Sequence, residues 1–184
     1  RSEETREVVR VLSLRDVGGM VARHLAEDLQ TQLIDRRPIM YYQPQYNHKG
    51  ECIGAEALLR WKHSIYDMVY PPLVIQVAEE SGKLIALEKN IFVTIMESMP
   101  ELIKILGEET KISVNVTGTT IQSEEFEKFL VQLSKDYPRY SNRIVIEITE
   151  QAALSIKEEL IEIEDVIAAS SAGASVVLPP PHAT

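Results

Sequence analysis

Apolar side chains recur along this chain in two rhythms, and the switching between them predicts the fold. Over residues 111–117, Ile112, Val114 and Val116 alternate with Ser113, Asn115 and Thr117, the two-residue period of a half-buried strand. The same period returns over residues 143–150, where Ile144, Ile146 and Ile148 oppose Val145, Glu147 and Thr149. Residues 52–61 form a short apolar run bounded by Gly50 and by polar positions after Trp61, and read as a buried strand. Glu56, Leu58 and Arg60 share one face of it; Ala55, Ala57, Leu59 and Trp61 share the other. Residues 39–46 read as an aromatic-rich strand whose regular pairing Pro44 ends, because proline lacks the donor. The brief turn at 47–50 makes these first two strands antiparallel.

The second rhythm is helical. Val21, Leu25, Leu29 and Leu33 form one stripe starting from Met20. Residues 73–81 predict a short helix closed by Gly82. Leu84, Leu87, Ile91, Phe92, Ile95 and Met99 predict a long helix to about Leu106, which Pro100 should kink or break. Ser123 caps a helix with acidic residues in its first turn, burying Phe126, Phe129, Leu130 and Leu133. Residues 157–169 predict an amphipathic helix through Leu160, Ile163, Val166 and Ile167, and residues 174–178 a last strand stopped by Pro179, Pro180 and Pro181. Residues 62–72 and 136–142 read as irregular. Residues 3–12 predict a helical turn or two, ahead of a break at Gly18 and Gly19. After the first hairpin, strands and helices alternate, which means a parallel sheet covered by helices with right-handed crossovers. A complete eight-stranded barrel takes about 250 residues; the 184 here supply about five of its strands. The expected fold is therefore α/β, an incomplete barrel.

Composition narrows the function. At 45% hydrophobic and 26% charged, the chain is globular rather than disordered. A net charge of −9 repels bulk polyanions, which argues against DNA or RNA as partners. A small anion remains compatible if a few arginines or a metal are focused in a cleft. The single cysteine, Cys52, excludes an intrachain disulfide and fits a reducing, cytoplasmic setting. No apolar run is long enough to span a bilayer. The four histidines show no metal-ligand spacing. The chain begins at Arg1 rather than Met, which suggests a piece of something longer.

Three strands each carry one polar residue where an apolar one would pack more cheaply: Glu56, Asn115 and Glu147. Inward polar residues near the strand ends of a barrel are where sites are built. Two carboxylates and an amide oxygen are hard donors, suited to Mg²⁺, Mn²⁺ or Ca²⁺ rather than zinc. Taken singly, each also fits a satisfied buried hydrogen-bond network. Arg60 either holds a phosphate bidentately or pairs with Glu56 or Glu147. Gln43, beside Pro44, either touches a ligand or is a surface glutamine. Glu150 either braces a loop or is a solvated charge, and solvation is the default for Glu79 and Glu80.

Five short words, in order over residues 25–178, resemble the EAL family of cyclic di-GMP phosphodiesterases. Tyr42-Gln43-Pro44 is similar to its opening Tyr-Gln-Pro, and Glu56-Ala57-Leu58-Leu59-Arg60-Trp61 to its name motif. Val77 to Gly82 resembles its Ala-Glu-Glu-x-Gly helix, Ser113 to Val116 its asparagine strand, and Glu147 to Glu150 its Glu-x-Thr-Glu segment. The resemblance implies a modified TIM barrel with an antiparallel first strand. It implies cleavage of one phosphodiester of cyclic di-GMP to linear pGpG with two Mg²⁺ or Mn²⁺ ions. Glu56, Asn115 and Glu147 match the family's metal ligands, with Glu56 also catalytic. Gln43, Pro44, Leu58 and Arg60 match nucleotide-contacting positions, and Glu150, counted with Glu56 in the catalytic set, a residue that steadies an active-site loop. The departures are Val74-Ile75-Gln76 for Phe-Ile-Pro, Gly118 for a serine, and Pro179-Pro180-Pro181-His182 where paired aspartates are usual. The expectation is a linker over 1–24, a partial EAL domain over 25–178 and a proline-rich tail over 179–184. Turnover should be weak or absent; the alternative is a non-catalytic cyclic di-GMP-binding or protein-interaction module. An open edge on such a half barrel is also a route to a homodimer.

Overall fold

The computed structural model describes residues 19–149 and 158–162, the latter five and Thr149 as backbone only. The described residues form two compact units, one from 19–42 and 58–97, the other from 43–57, 98–149 and 158–162.

In the first unit, helix α1 (Gly19–Leu29) continues into one wider π-helical turn (Gln30–Ile34). Its stripe is buried at Leu25, Leu29 and Leu33, and α1 packs on α2 (Pro71–Glu80). Helix α2 starts at Pro71, two residues before the periodicity alone suggests, because proline is preorganised for the first helical turn. It ends as expected at Gly82, whose φ of +70° allows a reversed turn: Lys83 N–H donates to Ala78 O and Gly82 N–H to Glu79 O. Asn90, buried on α3 (Leu84–Leu106), ties down the end of the π turn. Its Nδ2 donates to the carbonyls of Leu33 at 2.6 Å and Arg36 at 2.7 Å, and more weakly to Ile34. Its Oδ1 accepts from Arg37, which also grips Glu97 through two 3.0 Å bonds.

Strands β1 (Ile39–Tyr46) and β2 (Cys52–His63) form the opening antiparallel pair. Asn47 makes the turn: its Oδ1 accepts the N–H groups of Lys49 and Glu51, and Gly50 takes φ +78°. Strand β1 runs from Ile39 to Tyr46, the bounds expected from the sequence. The segment expected to be irregular after Trp61 contains β3 (Asp67–Val69), which pairs antiparallel with residues 61–63 of β2. His63 supports that turn. Its Nδ1 accepts the N–H groups of Ile65 and Tyr66, so the proton sits on Nε2, which donates to Asp28 at 2.6 Å. Pro100 does not break α3. Buried apolar residues on both sides of it, among them Ile95, Met96, Met99 and Leu102, hold the helix against a penalty of about 3 kcal/mol.

In the second unit, β4 (Lys111–Thr117) and β5 (Ile144–Thr149) lie parallel, and β4 lies parallel to β2. Short helix α4 (Gly118–Ile121) follows β4 and contacts β4, β5 and α5 (Glu124–Asp136). Ser123 caps α5 as expected, accepting from Phe126 N–H. Phe126, Leu130 and Leu133 are buried, whereas Phe129 stays half-exposed. The largest departure follows β5. Residues 158–162 fall in the expected helix 157–169, yet they form strand β6 (Glu158–Glu162), antiparallel to β5. Helix propensity is a weak prior, and the free backbone groups along β5 give this segment a stronger reason to extend. The sheet order is β1-β2-β4-β5-β6, with β3 beside β2, and the path does not close among the described residues. The expected strand at 174–178, the tail, residues 3–12 and the remainder of the 157–169 helix lie outside the described residues.

Candidate functional site

Strand pairing fixes which side chains can meet. Glu56 on β2 is paired with Ser113 on β4, and Asn115 on β4 with Glu147 on β5. Residues paired across a ladder share a face, as do positions two apart. Glu56, Asn115 and Glu147 therefore lie on one face of three neighbouring strands. The opposite face carries Ala55, Ala57, Ile112, Val114, Val116, Ile144, Ile146 and Ile148, all buried. The apolar set fixes the register, because a one-residue slip would turn every polar side chain into the packed side.

Glu56 and Asn115 meet directly: Asn115 Nδ2 donates to Glu56 Oε1 at 3.1 Å. Both are half-buried and Glu147 is buried. The amide donates through nitrogen, so its Oδ1 keeps its lone pairs, as does the second oxygen of Glu56. Two carboxylates and an amide oxygen on one face suit a hard divalent cation, which would also relieve the repulsion between like charges. Among the described residues no group of three or more His, Cys, Asp or Glu is arranged to hold a metal. The candidate set is therefore the mixed one that includes Asn115.

Sequence reasoning passed over Gly54, which makes this meeting possible. It is paired with Lys111, and a Cβ added to it would lie 2.6 Å from Lys111 O. The missing side chain lets β2 and β4 close up two residues before Glu56. The available signal was a glycine inside a strand pattern, which marks close backbone approach.

The remaining predicted residues are dispersed. Gln43 and Pro44 are exposed in β1. Leu58 and Arg60 are half-buried in β2, within the first unit. Arg60 Nη1 donates to Leu59 O at 2.9 Å, and its guanidinium carbon lies 5.3 Å from the ring centre of Tyr41, a cation–π contact. Tyr41 was not singled out from sequence; its place two residues ahead of Gln43 carries no signal of this role. Glu79 and Glu80 are exposed, the solvated face expected of them. Glu150 lies outside the described residues.

An antiparallel opening pair leading into parallel strands, with oxygen donors on three adjacent strands, defines the start of a modified TIM-type barrel. Residues 26–179 match the EAL domain family, and the chain belongs to it. It is 30% identical over 118 residues to the probable cyclic di-GMP phosphodiesterase PdeN of Escherichia coli K12, covering 64% of this chain and 23% of that protein. It is 27% identical over 138 residues to the probable cyclic di-GMP phosphodiesterase PdeG of the same organism, covering 74% and 27%. The chain thus spans about a quarter of the length of these relatives. Among solved structures, it matches the PaMucR phosphodiesterase in complex with c-di-GMP, with a TM-score of 0.63 and 20% identity over 82% of this chain and 61% of that one. Likeness at that identity concerns the fold. Among the described residues no helix is long and apolar enough to cross a membrane.

Proposed function

We propose that this chain is part of a cyclic di-GMP-specific phosphodiesterase domain that cleaves its ligand to linear pGpG, and that the chain as it stands turns over weakly or not at all. The observation that carries the reading is the 3.1 Å contact between Asn115 and Glu56, with Glu147 in register on the next strand. Glu56, Asn115 and Glu147 would hold two Mg²⁺ or Mn²⁺ ions, which when bound supply Lewis acidity toward a phosphodiester. Glu56 is the catalytic carboxylate of the set. Asn115 orients Glu56 by donating one hydrogen bond to it while keeping its own oxygen available. Arg60 binds the ligand's phosphate, with its planar donor fork matched to two phosphate oxygens. Gln43, Pro44 and Leu58 contact the nucleotide, and Glu150 steadies a loop. The part-buried thiol of Cys52 suits a cytoplasmic setting.

A second reading is a binding or interaction module without turnover. It is favoured by Pro179, Pro180 and Pro181, which stand where the family's paired aspartates are usual. The test is pGpG release by the purified chain with Mg²⁺ or Mn²⁺, beside calorimetric titration of cyclic di-GMP with and without metal. Binding with slow turnover, weakened in N115A, supports the first reading. Metal-independent binding with no turnover supports the second. Robust turnover overturns the claim of weak activity, and no binding under any condition overturns both.

A further inference from the structure

A cleft of about 850 Å³ opens within the first unit. That volume falls in the range of small-molecule sites. Its lining carries Arg36, Arg37, Arg60 and Lys62 against a single carboxylate, Asp67. In a chain with a net charge of −9 this is a local reversal of sign. Arg37 is committed to Glu97 and Asn90. Arg36, Arg60 and Lys62 have no carboxylate partner among the described residues.

The three cations stand on fixed backbone. The Arg36 carbonyl is held by Asn90. Lys62 is paired with Met68 in the β2–β3 ladder. Arg60 is braced by the Leu59 carbonyl and the Tyr41 ring. The π turn is tied to β2 by Trp61 Nε1, which donates to Gln32 at 2.9 Å. Anchoring of this kind lowers the ordering cost of binding. Two further lining residues, Ile39 and Ile65, are 56% and 70% exposed, which gives the cleft an apolar wall beside its charged one.

We propose that this cleft binds a phosphorylated small molecule without a metal ion, its phosphate held by Arg36, Arg60 and Lys62. Arg36 and Lys62 carry the claim, which goes beyond the phosphodiesterase reading; Arg60 is shared with it. Guanidinium forks match phosphate oxygens in pairs, and an ammonium adds a point charge. Low-dielectric walls focus the positive field toward a small anion while the acidic remainder of the surface turns away larger ones.

The test is calorimetric titration of the whole chain with inorganic pyrophosphate in the presence of EDTA. Wild type should bind, and R36A/K62A should bind at least about tenfold more weakly, the loss expected for charge-assisted bonds. The variant R36Q/K62Q, which keeps side-chain bulk at two exposed positions, should lose as much. EDTA withholds the metal ions on which the phosphodiesterase reading depends, so failure of that reading leaves this result intact. The proposal is overturned if wild type does not bind, if R36A/K62A binds equally well, or if binding requires Mg²⁺.

Discussion

Gly54→Ala tests whether the close approach of β2 and β4 builds the candidate site. The added Cβ would lie 2.6 Å from Lys111 O, closer than real Cβ contacts come. The obstacle is backbone, so no side chain can swing aside, and the strands must part by several tenths of an ångström. Overpacking of this kind costs about 1–3 kcal/mol. The movement falls two residues from Glu56, where Asn115 donates at 3.1 Å; lengthening that bond beyond hydrogen-bond range removes about 1 kcal/mol more. Urea unfolding should show a lower midpoint at unchanged slope, and cyclic di-GMP binding should weaken more than in equally destabilised variants elsewhere. The control is Gly118→Ala. Nothing lies within 4 Å of a Cβ there, and alanine suits the first turn of a helix, so stability should hold or rise slightly. An unfolding midpoint in Gly54→Ala equal to wild type would refute the reasoning.

Two further outcomes follow from named contacts. Asn90→Ala should destabilise the first unit by about 2–3 kcal/mol, because it leaves the carbonyls of Leu33 and Arg36 without their donor; Asn90→Asp should not rescue it, since a carboxylate cannot donate, and a midpoint restored by aspartate would contradict the account. The hydrogen bond from Arg37 holds the Glu97 carboxyl below the usual carboxylate range, with some opposition from desolvation and help from the arginine charge. A depressed folded-state pKa stabilises above the unfolded-state value, and that stabilisation is lost as the pH falls through the folded-state value. The pair is about half exposed, so its worth is at most about 1 kcal/mol. Wild type should exceed Glu97→Gln at neutral pH and converge with it in acid; a constant difference from pH 7 downward would contradict this.

Long, strongly periodic segments were legible from sequence alone. The alternation at Ile112, Val114 and Val116 marked β4 to the residue, and the stripe from Leu84 to Met99 marked α3. Glu56, Asn115 and Glu147 stood out because polar residues broke an apolar pattern, and strand pairing puts them on one face. What was missed depends on tertiary context. Strand β3 has three residues, too few for any period. Glu158 to Glu162 carries two adjacent apolar residues among acids, a pattern that fits a helix turn or a strand equally, and the open side of β5 decided it. Pro100 does not break α3, which burial on both sides holds together. The cationic cleft brings Arg36, from the segment after the π turn, together with Arg60 and Lys62 of β2, and no spacing along the chain announces that.

Strand β6 has a consequence for how this sheet can grow. A strand offers two hydrogen-bonding sides, and β5 gives one to β4 and the other to β6, from Val145 opposite Glu162 to Thr149 opposite Glu158. A parallel neighbour, the kind that continues a barrel, can reach β5 only by evicting β6. Barrel extension and the β5–β6 pairing are thus mutually exclusive occupants of one berth, and while β6 holds it, a strand from another molecule is shut out of that berth as well.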